Sequence, residues 1–188
     1  MAQIQIELFT DRTCRRYVLG APWILPDGRV AATDTYAAIV CDRALVGDLP
    51  PPRDGRPPNV LHVLKPIAEV GEWSELPPLP TCDLCKGKTI VTRDCTECKG
   101  MGSQRCNLEH DHDCDQCGGS GVEENIDCPD CKRSVIPIGN VAVKALHLRR
   151  AHMLPGCRWG MCKSNDDLIL LKFDGGIGAL ARHRRSGE

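Results

Sequence analysis

The sequence predicts an α+β protein in which two strand-helix-sheet half-domains flank an inserted cysteine-rich module. Short apolar runs bounded by turn residues occur on both sides of the module, and each flank places a helical segment ahead of three such runs. Between the flanks, eight of the thirteen cysteines fall into four Cys-x-x-Cys pairs. We therefore divide the chain into residues 1–75, 76–134 and 135–188, the last ending in a basic tail.

The first flank is predicted to begin with a strand, because Ile4, Ile6 and Leu8 alternate with polar residues. Thr10-Asp11 can cap a short helix that runs to about Leu19. The turn residues Asp27-Gly28 and Thr33-Asp34-Thr35 then separate three predicted strands, residues 23–25, 29–33 and 36–41. The remainder is predicted to comprise a proline-rich surface loop at 50–58, a strand at 59–65 and a stiff lead-in at 76–80.

The second flank is predicted to start with a helix capped by Asn140 and ending near Met153. Its expected buried side carries Val141, Ala145 and Leu148, whereas Lys144, His147 and Arg150 are expected elsewhere. Three strands are predicted to follow, at 157–162, 168–173 and 177–182.

The four cysteine pairs predict two structural zinc ions. A two-residue gap lets both thiolates of one knuckle point at a single ion, and two knuckles complete a closed tetrahedral sulfur shell. The eight predicted ligands are Cys82, Cys85, Cys95, Cys98, Cys114, Cys117, Cys128 and Cys131. A closed shell leaves no position for a substrate, so we expect no catalytic zinc and assign no catalytic residue.

The segments CDLCKGK, CTECKGMG, CDQCGGSG and CPDC resemble the cysteine-rich domain of DnaJ-type chaperones, across residues 81–132. The resemblance implies nested pairing, with one zinc on Cys82, Cys85, Cys128 and Cys131 and the other on Cys95, Cys98, Cys114 and Cys117. Lys88-Thr89 and Lys132-Arg133-Ser134 depart from that family's pattern, which puts the shape of its protein-binding surface in doubt. The chain has no His-Pro-Asp tripeptide, so it is not a full DnaJ co-chaperone.

Other cysteines and histidines leave alternatives open. Cys106, His110 and His112 are expected in a polar loop, although a register swap could bring one of them to a metal. A third site from His147, His152, Cys157 and Cys162 is disfavoured, because a spacing of five turns His152 about 140° away from His147 on a helix.

The segments DGRVAATDTYAAIVCDR (27–43) and LLKFDGGIGALARHR (170–184), with the helix that leads to LPG (154–156), resemble the bacterial DNA sliding clamp family. The resemblance implies a domain of two strand-helix-three-strand halves, as in small phage-encoded clamp-like proteins with a zinc insertion. A bacterial clamp chain has three such domains and this chain has material for one. Encircling DNA would therefore require oligomerisation.

Charge is distributed unevenly along a chain whose formal net charge is −1. Residues 81–132 hold six Lys/Arg and eleven Asp/Glu, a net −5, whereas residues 133–188 hold ten and four, a net +6. The basic residues Arg149, Arg150, Arg182, Arg184 and Arg185 predict weak, sequence-independent DNA binding, or else a solvated face and tail. No secretory leader or membrane-spanning apolar run is present, which predicts a cytoplasmic protein without membrane association.

These observations favour a non-enzymatic, zinc-binding, clamp-like interaction protein of the DNA-replication or other DNA-processing machinery, with a protein partner on the zinc module. No Walker loop or dinucleotide-binding glycine fingerprint is present. A zinc-dependent chaperone-like holdase is the first alternative. The second is a thiol oxidoreductase, in which Cys-x-x-Cys would be a redox pair.

Overall fold

The computed structural model describes residues 3–11, 19–51, 56–105, 111–162 and 165–183. The chain divides into two compact units. The body comprises Met1–Leu79 together with Ser134–Glu188, and the module comprises Pro80–Arg133. Strands and helices are mixed along the chain, which confirms the α+β class.

The first flank of the body contributes four strands and one α-helix. They are β1 (Trp23–Ile24), β2 (Val30–Thr33), β3 (Ala37–Cys41), α1 (Val60–Leu64) and β4 (Ser74–Glu75), with 3-10 helices at Ile6–Phe9, Arg43–Leu45 and Lys65–Glu69. The three strands predicted between residues 23 and 41 are therefore present, with shorter bounds. Asp34 forms the turn between β2 and β3, where its Oδ1 accepts hydrogen bonds from the N–H groups of Tyr36 and Ala37 (3.0 and 2.8 Å).

The strand predicted at Ile4–Leu8 is wrong. Residues Ile6–Phe9 form a 3-10 helix, in which the N–H of Leu8 donates to the carbonyl of Gln5 (3.1 Å). Leu8 and Phe9 are adjacent and both buried, a pattern that a half-exposed strand does not allow. Most of the helix predicted from Thr10 to Leu19 lies outside the described residues.

The strand predicted at residues 59–65 is also wrong, because this segment forms α1. The side chain of Asn59 accepts a hydrogen bond from the N–H of His62, which caps the helix. Val60 and Leu64, four residues apart, are buried on one face, whereas Val63 is 39% exposed. The loop predicted at 50–58 contains no regular element in its described residues.

The described residues of the module form four short strands and one helical turn. They are β5 (Ile90–Asp94), β6 (Ser103–Arg105), β7 (Asp111–Asp113), β8 (Val122–Asp127) and α2 (Pro129–Arg133). The strands form two antiparallel pairs, β5 with β8 and β6 with β7.

The second flank begins with an antiparallel hairpin of β9 (Val135–Ile138) and β10 (Val141–Lys144), followed by α3 (Ala145–His152). The helix that was predicted to be capped by Asn140 instead has Lys144 as its N-cap, four residues later, because Val141 and Val143 alternate inward as a strand. Its predicted buried residues Val141, Ala145 and Leu148 are buried. Contrary to prediction, His147 and Arg150 are buried as well. The three strands predicted next are β11 (Arg158–Cys162), β12 (Asn165–Phe173) and β13 (Gly176–Ala181).

Strands from both flanks form one seven-stranded antiparallel sheet in the order β1-β2-β3-β13-β12-β11-β4. Its centre is the pairing of β3 with β13, from Ala37 opposite Leu180 to Cys41 opposite Gly176. Every residue of β2 and β3 is buried, so both faces of the sheet are covered there. On one face α1 packs Val60 and Leu64 against the strands. Within the described residues, no helix is both long and apolar enough to cross a membrane.

Candidate metal centre

The first three knuckles of the module follow one backbone path. Each second cysteine is followed by two residues with left-handed φ, namely Lys86 and Gly87 (49° and 87°), Lys99 and Gly100 (53° and 85°), and Gly118 and Gly119 (58° and 84°). Left-handed backbone favours glycine and reverses the chain around the sulfur atoms. The fourth knuckle differs, because Cys131 lies in α2 and the chain continues as a helix through Arg133.

The second and third knuckles form one cysteine quartet, which we call site 2: Cys95, Cys98, Cys114 and Cys117. Its four Sγ atoms all lie within 4.8 Å of one another. The two knuckles exchange equivalent backbone hydrogen bonds, since the N–H of Cys95 donates to Gly121 O and the N–H of Cys114 donates to Gly102 O, each at 2.8 Å. Site 2 is therefore built from two equivalent loops.

Gly102 and Gly121 are required by the close approach of these loops. Both have φ of +76°. A Cβ on Gly121 would lie 2.5 Å from the carbonyl oxygen of Gly100, and a Cβ on Gly102 would overlap the carbonyl oxygen of Gly119. Each glycine also donates its N–H to a cysteine Sγ, Gly102 to Cys98 (3.2 Å) and Gly121 to Cys117 (3.3 Å).

The first and fourth knuckles form the other quartet, site 1: Cys82, Cys85, Cys128 and Cys131. Its Sγ atoms again lie within 4.8 Å of one another. The N–H of Cys128 donates to Thr89 O (2.8 Å), the bond that corresponds to Cys114 with Gly102 in site 2. The structure thus brings together the same two quartets that the resemblance to DnaJ-type chaperones implied.

Both quartets fit a metal ion by their donor chemistry and burial. Four sulfur donors suit a tetrahedral ion such as Zn²⁺, and no carboxylate or imidazole is part of either group. Six of the eight cysteines are buried, and Cys82 and Cys117 are partly exposed. Each site can therefore hold one ion with a closed shell.

Backbone N–H groups favour the thiolate form of one cysteine at each site. The N–H of Cys85 lowers the pKa of the Cys82 thiol to about 7. Burial raises the pKa of the Cys117 thiol, but hydrogen bonds from the Gly121 N–H and from Cys98 outweigh this effect and bring the pKa to about 7. In each quartet, hydrogen bonds thus favour the thiolate of one cysteine, and the thiolate is the form that binds metal.

Glu123 joins three parts of the module. Its Oε2 accepts two hydrogen bonds from the Arg93 guanidinium (3.0 and 2.7 Å), and its Oε1 accepts from Thr96 and from Gln116 Nε2. The Arg93 side chain, foremost among these donors, lowers the pKa of Glu123 to about 2. The role of this carboxylate was not predicted from the sequence, because its partners are 30, 27 and 7 residues away.

The arginines predicted to contact DNA differ in their surroundings. Arg150 is 1% exposed, and its Nη1 lies 3.3 Å from Asp34 Oδ2, so the prediction that it binds phosphate is corrected. Asp34 Oδ2 also lies 3.4 Å from His147 Nδ1, so this one carboxylate faces both buried side chains of α3. Arg149 is partly buried, and Arg182 pairs with Asp167 at 3.8 Å. Arg184 and Arg185 lie outside the described residues.

The alternative metal ligands do not form a further group within the described residues. The two quartets are the clusters found there, and His147, His152, Cys157 and Cys162 do not come together. Cys106 and His110 lie outside the described residues, and His112 is exposed in β7.

No protein-family model, curated protein sequence or solved structure matches this chain.

Proposed function

We propose that this chain is a non-catalytic zinc-binding interaction protein, in which two Zn²⁺ ions hold the module and the module carries a surface for a protein partner. One observation carries the metal-binding part. Among the described residues of the module, the buried side chains are six cysteines and Thr89, accompanied by Gly102 and Gly121, and no aliphatic or aromatic side chain is buried.

A unit without a hydrophobic core needs another source of stability. In a unit as small as the one from Pro80 to Arg133, even a hydrophobic core rarely supplies more than about 3–5 kcal/mol. Two Cys₄ zinc sites supply that stability, because metal-binding free energy in such a module is folding free energy, on the order of 10 kcal/mol per site. The closed sulfur shells support a structural role over a catalytic one.

The surface of the module supports a protein partner of basic character. Residues 81–132 carry a net charge of −5 before metal binding. Eight thiolates and two Zn²⁺ would add about four further negative charges. Two large apolar side chains also face solvent, Leu84 at 50% and Met101 at 73% exposed. On this acidic module, these two side chains are the apolar contacts that we propose for a basic protein partner.

The test is an affinity capture of partners from a host lysate by the zinc-loaded protein. We expect Leu84→Ser with Met101→Ser to lose partners that the wild type retains. Met153→Ser is the matched control, because Met153 is 46% exposed but belongs to the body. Partners lost equally with the control variant, or unaffected by the module variants, would contradict the proposed surface.

The finer assignment is also a proposal, namely that the body is clamp-like and that the protein serves DNA-replication or other DNA-processing machinery. Its support is the sequence resemblance of residues 27–43 and 170–184 to sliding clamps. Duplex DNA binding should be weak and should fall steeply with salt, and replacing Arg182, Arg184 and Arg185 by Gln should flatten that salt dependence. Binding that ignores salt, or an unchanged slope in the variant, would count against it.

A chaperone-like holdase is the second candidate, favoured by the exposure of Leu84 and Met101 on a DnaJ-like module. It predicts that the zinc-loaded protein suppresses aggregation of an unfolded client and that Leu84→Ser with Met101→Ser abolishes this suppression. Unchanged client aggregation would exclude the holdase without affecting the proposed partner surface. Rapid disulfide exchange by the zinc-loaded protein would instead support the thiol oxidoreductase.

A further inference from the structure

The two metal sites are built from different loops, although each has four cysteines. In the first three knuckles the fourth residue after the second cysteine has left-handed φ, and it is Gly102 (76°), Gly121 (76°) or Thr89 (65°). Site 2 thus has glycine at both equivalent positions. Site 1 has Thr89 after its first knuckle, whereas its second knuckle continues into α2 in place of a left-handed loop.

Thr89 is held in an unfavourable state. A β-branched residue with left-handed φ is a genuine outlier, because its Cβ substituents crowd the backbone. Thr89 is 0% exposed, and its buried Oγ1 has no hydrogen-bond partner among the residues that the structure describes. Its carbonyl must keep this position, because it accepts the N–H of Cys128. The strain is therefore stored in the segment that joins the two knuckles of site 1.

Hydrogen bonds to sulfur also distinguish the sites. In both sites, amides within the knuckle turns face the first cysteine. Site 2 has three additional donors, namely the N–H groups of Gly102 and Gly121 and Nε2 of Gln104, which lies 3.5 Å from Cys114 Sγ. Among the described residues, no N–H group from outside the knuckle turns donates a hydrogen bond to a site 1 sulfur. Such donors spread thiolate charge and stabilise a metal–sulfur shell.

We infer that Thr89 and the missing sulfur hydrogen bonds make the two sites unequal, so that site 1 binds its Zn²⁺ more weakly and releases it first. This inference rests on the proposed zinc-binding function. Site 1 joins the two ends of the module, since Cys82 and Cys131 lie close to its limits at Pro80 and Arg133. Loss of the first ion therefore opens the module at its ends, whereas site 2 keeps its paired loops.

The test follows zinc release and cysteine exposure together. The zinc-loaded full-length protein is titrated with a chelator, the released zinc is counted with a chromophore, and samples are treated with iodoacetamide for mass spectrometry. We expect two steps. Release of the first equivalent of zinc should coincide with alkylation of Cys82, Cys85, Cys128 and Cys131. Release of the second equivalent should coincide with alkylation of the site 2 cysteines.

Thr89→Gly tests the cause of the inequality. Removing the strained, buried side chain should tighten site 1 by about tenfold and narrow the gap between the steps. Thr92→Gly is the matched control, because Thr92 is exposed in β5 and the same substitution there relieves no strain at a metal site.

The outcomes separate this inference from the proposed function. A protein that binds no zinc contradicts both. Two bound ions that leave together, or site 2 cysteines that are alkylated first, overturn the inference alone. If Thr89→Gly leaves the difference in chelator concentration between the two release steps unchanged, or if Thr92→Gly changes that difference equally, Thr89 is excluded as the cause.

Discussion

Gly121→Ala should selectively weaken zinc binding at site 2. The new Cβ would lie 2.5 Å from the carbonyl oxygen of Gly100, closer than the 3.0 Å below which real Cβ contacts essentially never occur. Gly87→Ala is the matched control. Gly87 has a similar left-handed φ of +87°, but its Cβ would meet nothing within 4 Å.

The expected magnitude follows from what each substitution disturbs. Both variants incur the left-handed backbone cost of a non-glycine residue, about 1–2 kcal/mol. Gly121→Ala must also displace a loop that makes two hydrogen bonds, from the Cys95 N–H to Gly121 O and from the Gly121 N–H to Cys117 Sγ. At about 1 kcal/mol each, their loss adds about 2 kcal/mol, or roughly 30-fold in zinc affinity.

The assay uses chains with a single intact site. Gly121→Ala is measured in a Cys82→Ser background, which retains site 2, and Gly87→Ala in a Cys117→Ser background, which retains site 1. Zinc affinity is obtained by competition with a chromophoric chelator. Equal losses of affinity in the two variants would refute the argument that the close approach of the site 2 loops requires Gly121.

Three further outcomes are expected from the structure. Asp34→Asn should lower the free energy of unfolding of the body by about 3 kcal/mol, because it removes the carboxylate that lies 3.3 Å from the buried Arg150 guanidinium. Adding Arg150→Met should restore part of this, and a fully additive double variant would contradict the coupling. Gly160→Ala should cost about 1–3 kcal/mol in thermal unfolding, since its Cβ would overlap Val70 and lie 2.9 Å from Glu72 O, whereas Gly71→Ala, with nothing within 4 Å, should cost much less. Glu123→Gln should destabilise the zinc-loaded module equally at pH 8 and pH 6 in denaturant titrations. The folded-state pKa of Glu123 is about 2, below its ordinary 4.5, so its contribution to the free energy of unfolding is complete above pH 4.5 and is lost only between pH 4.5 and 2. A destabilisation that changes between pH 6 and 8 would therefore show another cause.

The metal centre was largely predictable because its information is local. The Cys-x-x-Cys spacing and the following glycines determine where each knuckle turns, and three knuckles share the same φ values. The departure at Thr89 was visible in the sequence, but its consequence was not. The strain at Thr89 arises from the left-handed backbone that the first three knuckles share. A side chain can be accommodated there because the fourth knuckle continues as a helix, whereas site 2 has a second left-handed loop at that place.

The body was harder to predict where a short segment fits both the helical period and the strand period. Residues 59–65 are rich in valine and leucine and suggest a strand, yet the Asn59 cap and the pair Val60 and Leu64 specify a helix. Residues 135–144 were missed as a hairpin, although Gly139-Asn140 between VIPI and VAVK is a two-residue turn signal. Gly139 has the φ of +59° that such a turn requires.

Long-range ion pairs could not be read from the sequence at all. Asp34 was identified only as a turn residue, His147 was considered only as a helix position or a disfavoured metal ligand, and Arg150 was predicted to contact DNA. Their contact spans 116 residues between Asp34 and Arg150, and it forms because α3 places both side chains beside the β2–β3 turn. The burial of Arg150 therefore depends on tertiary contacts, and the helical periodicity of α3 does not predict such contacts.

The central claim is that two zinc ions are held by nested quartets, and native mass spectrometry of paired cysteine variants tests it most directly. We expect two Zn²⁺ in the wild type, and one in a Cys82→Ser, Cys131→Ser double variant, because both substitutions fall in site 1. A Cys82→Ser, Cys117→Ser double variant should hold none, because one substitution falls in each site. Loss of both ions from the first variant, or retention of one by the second, would contradict the nested arrangement.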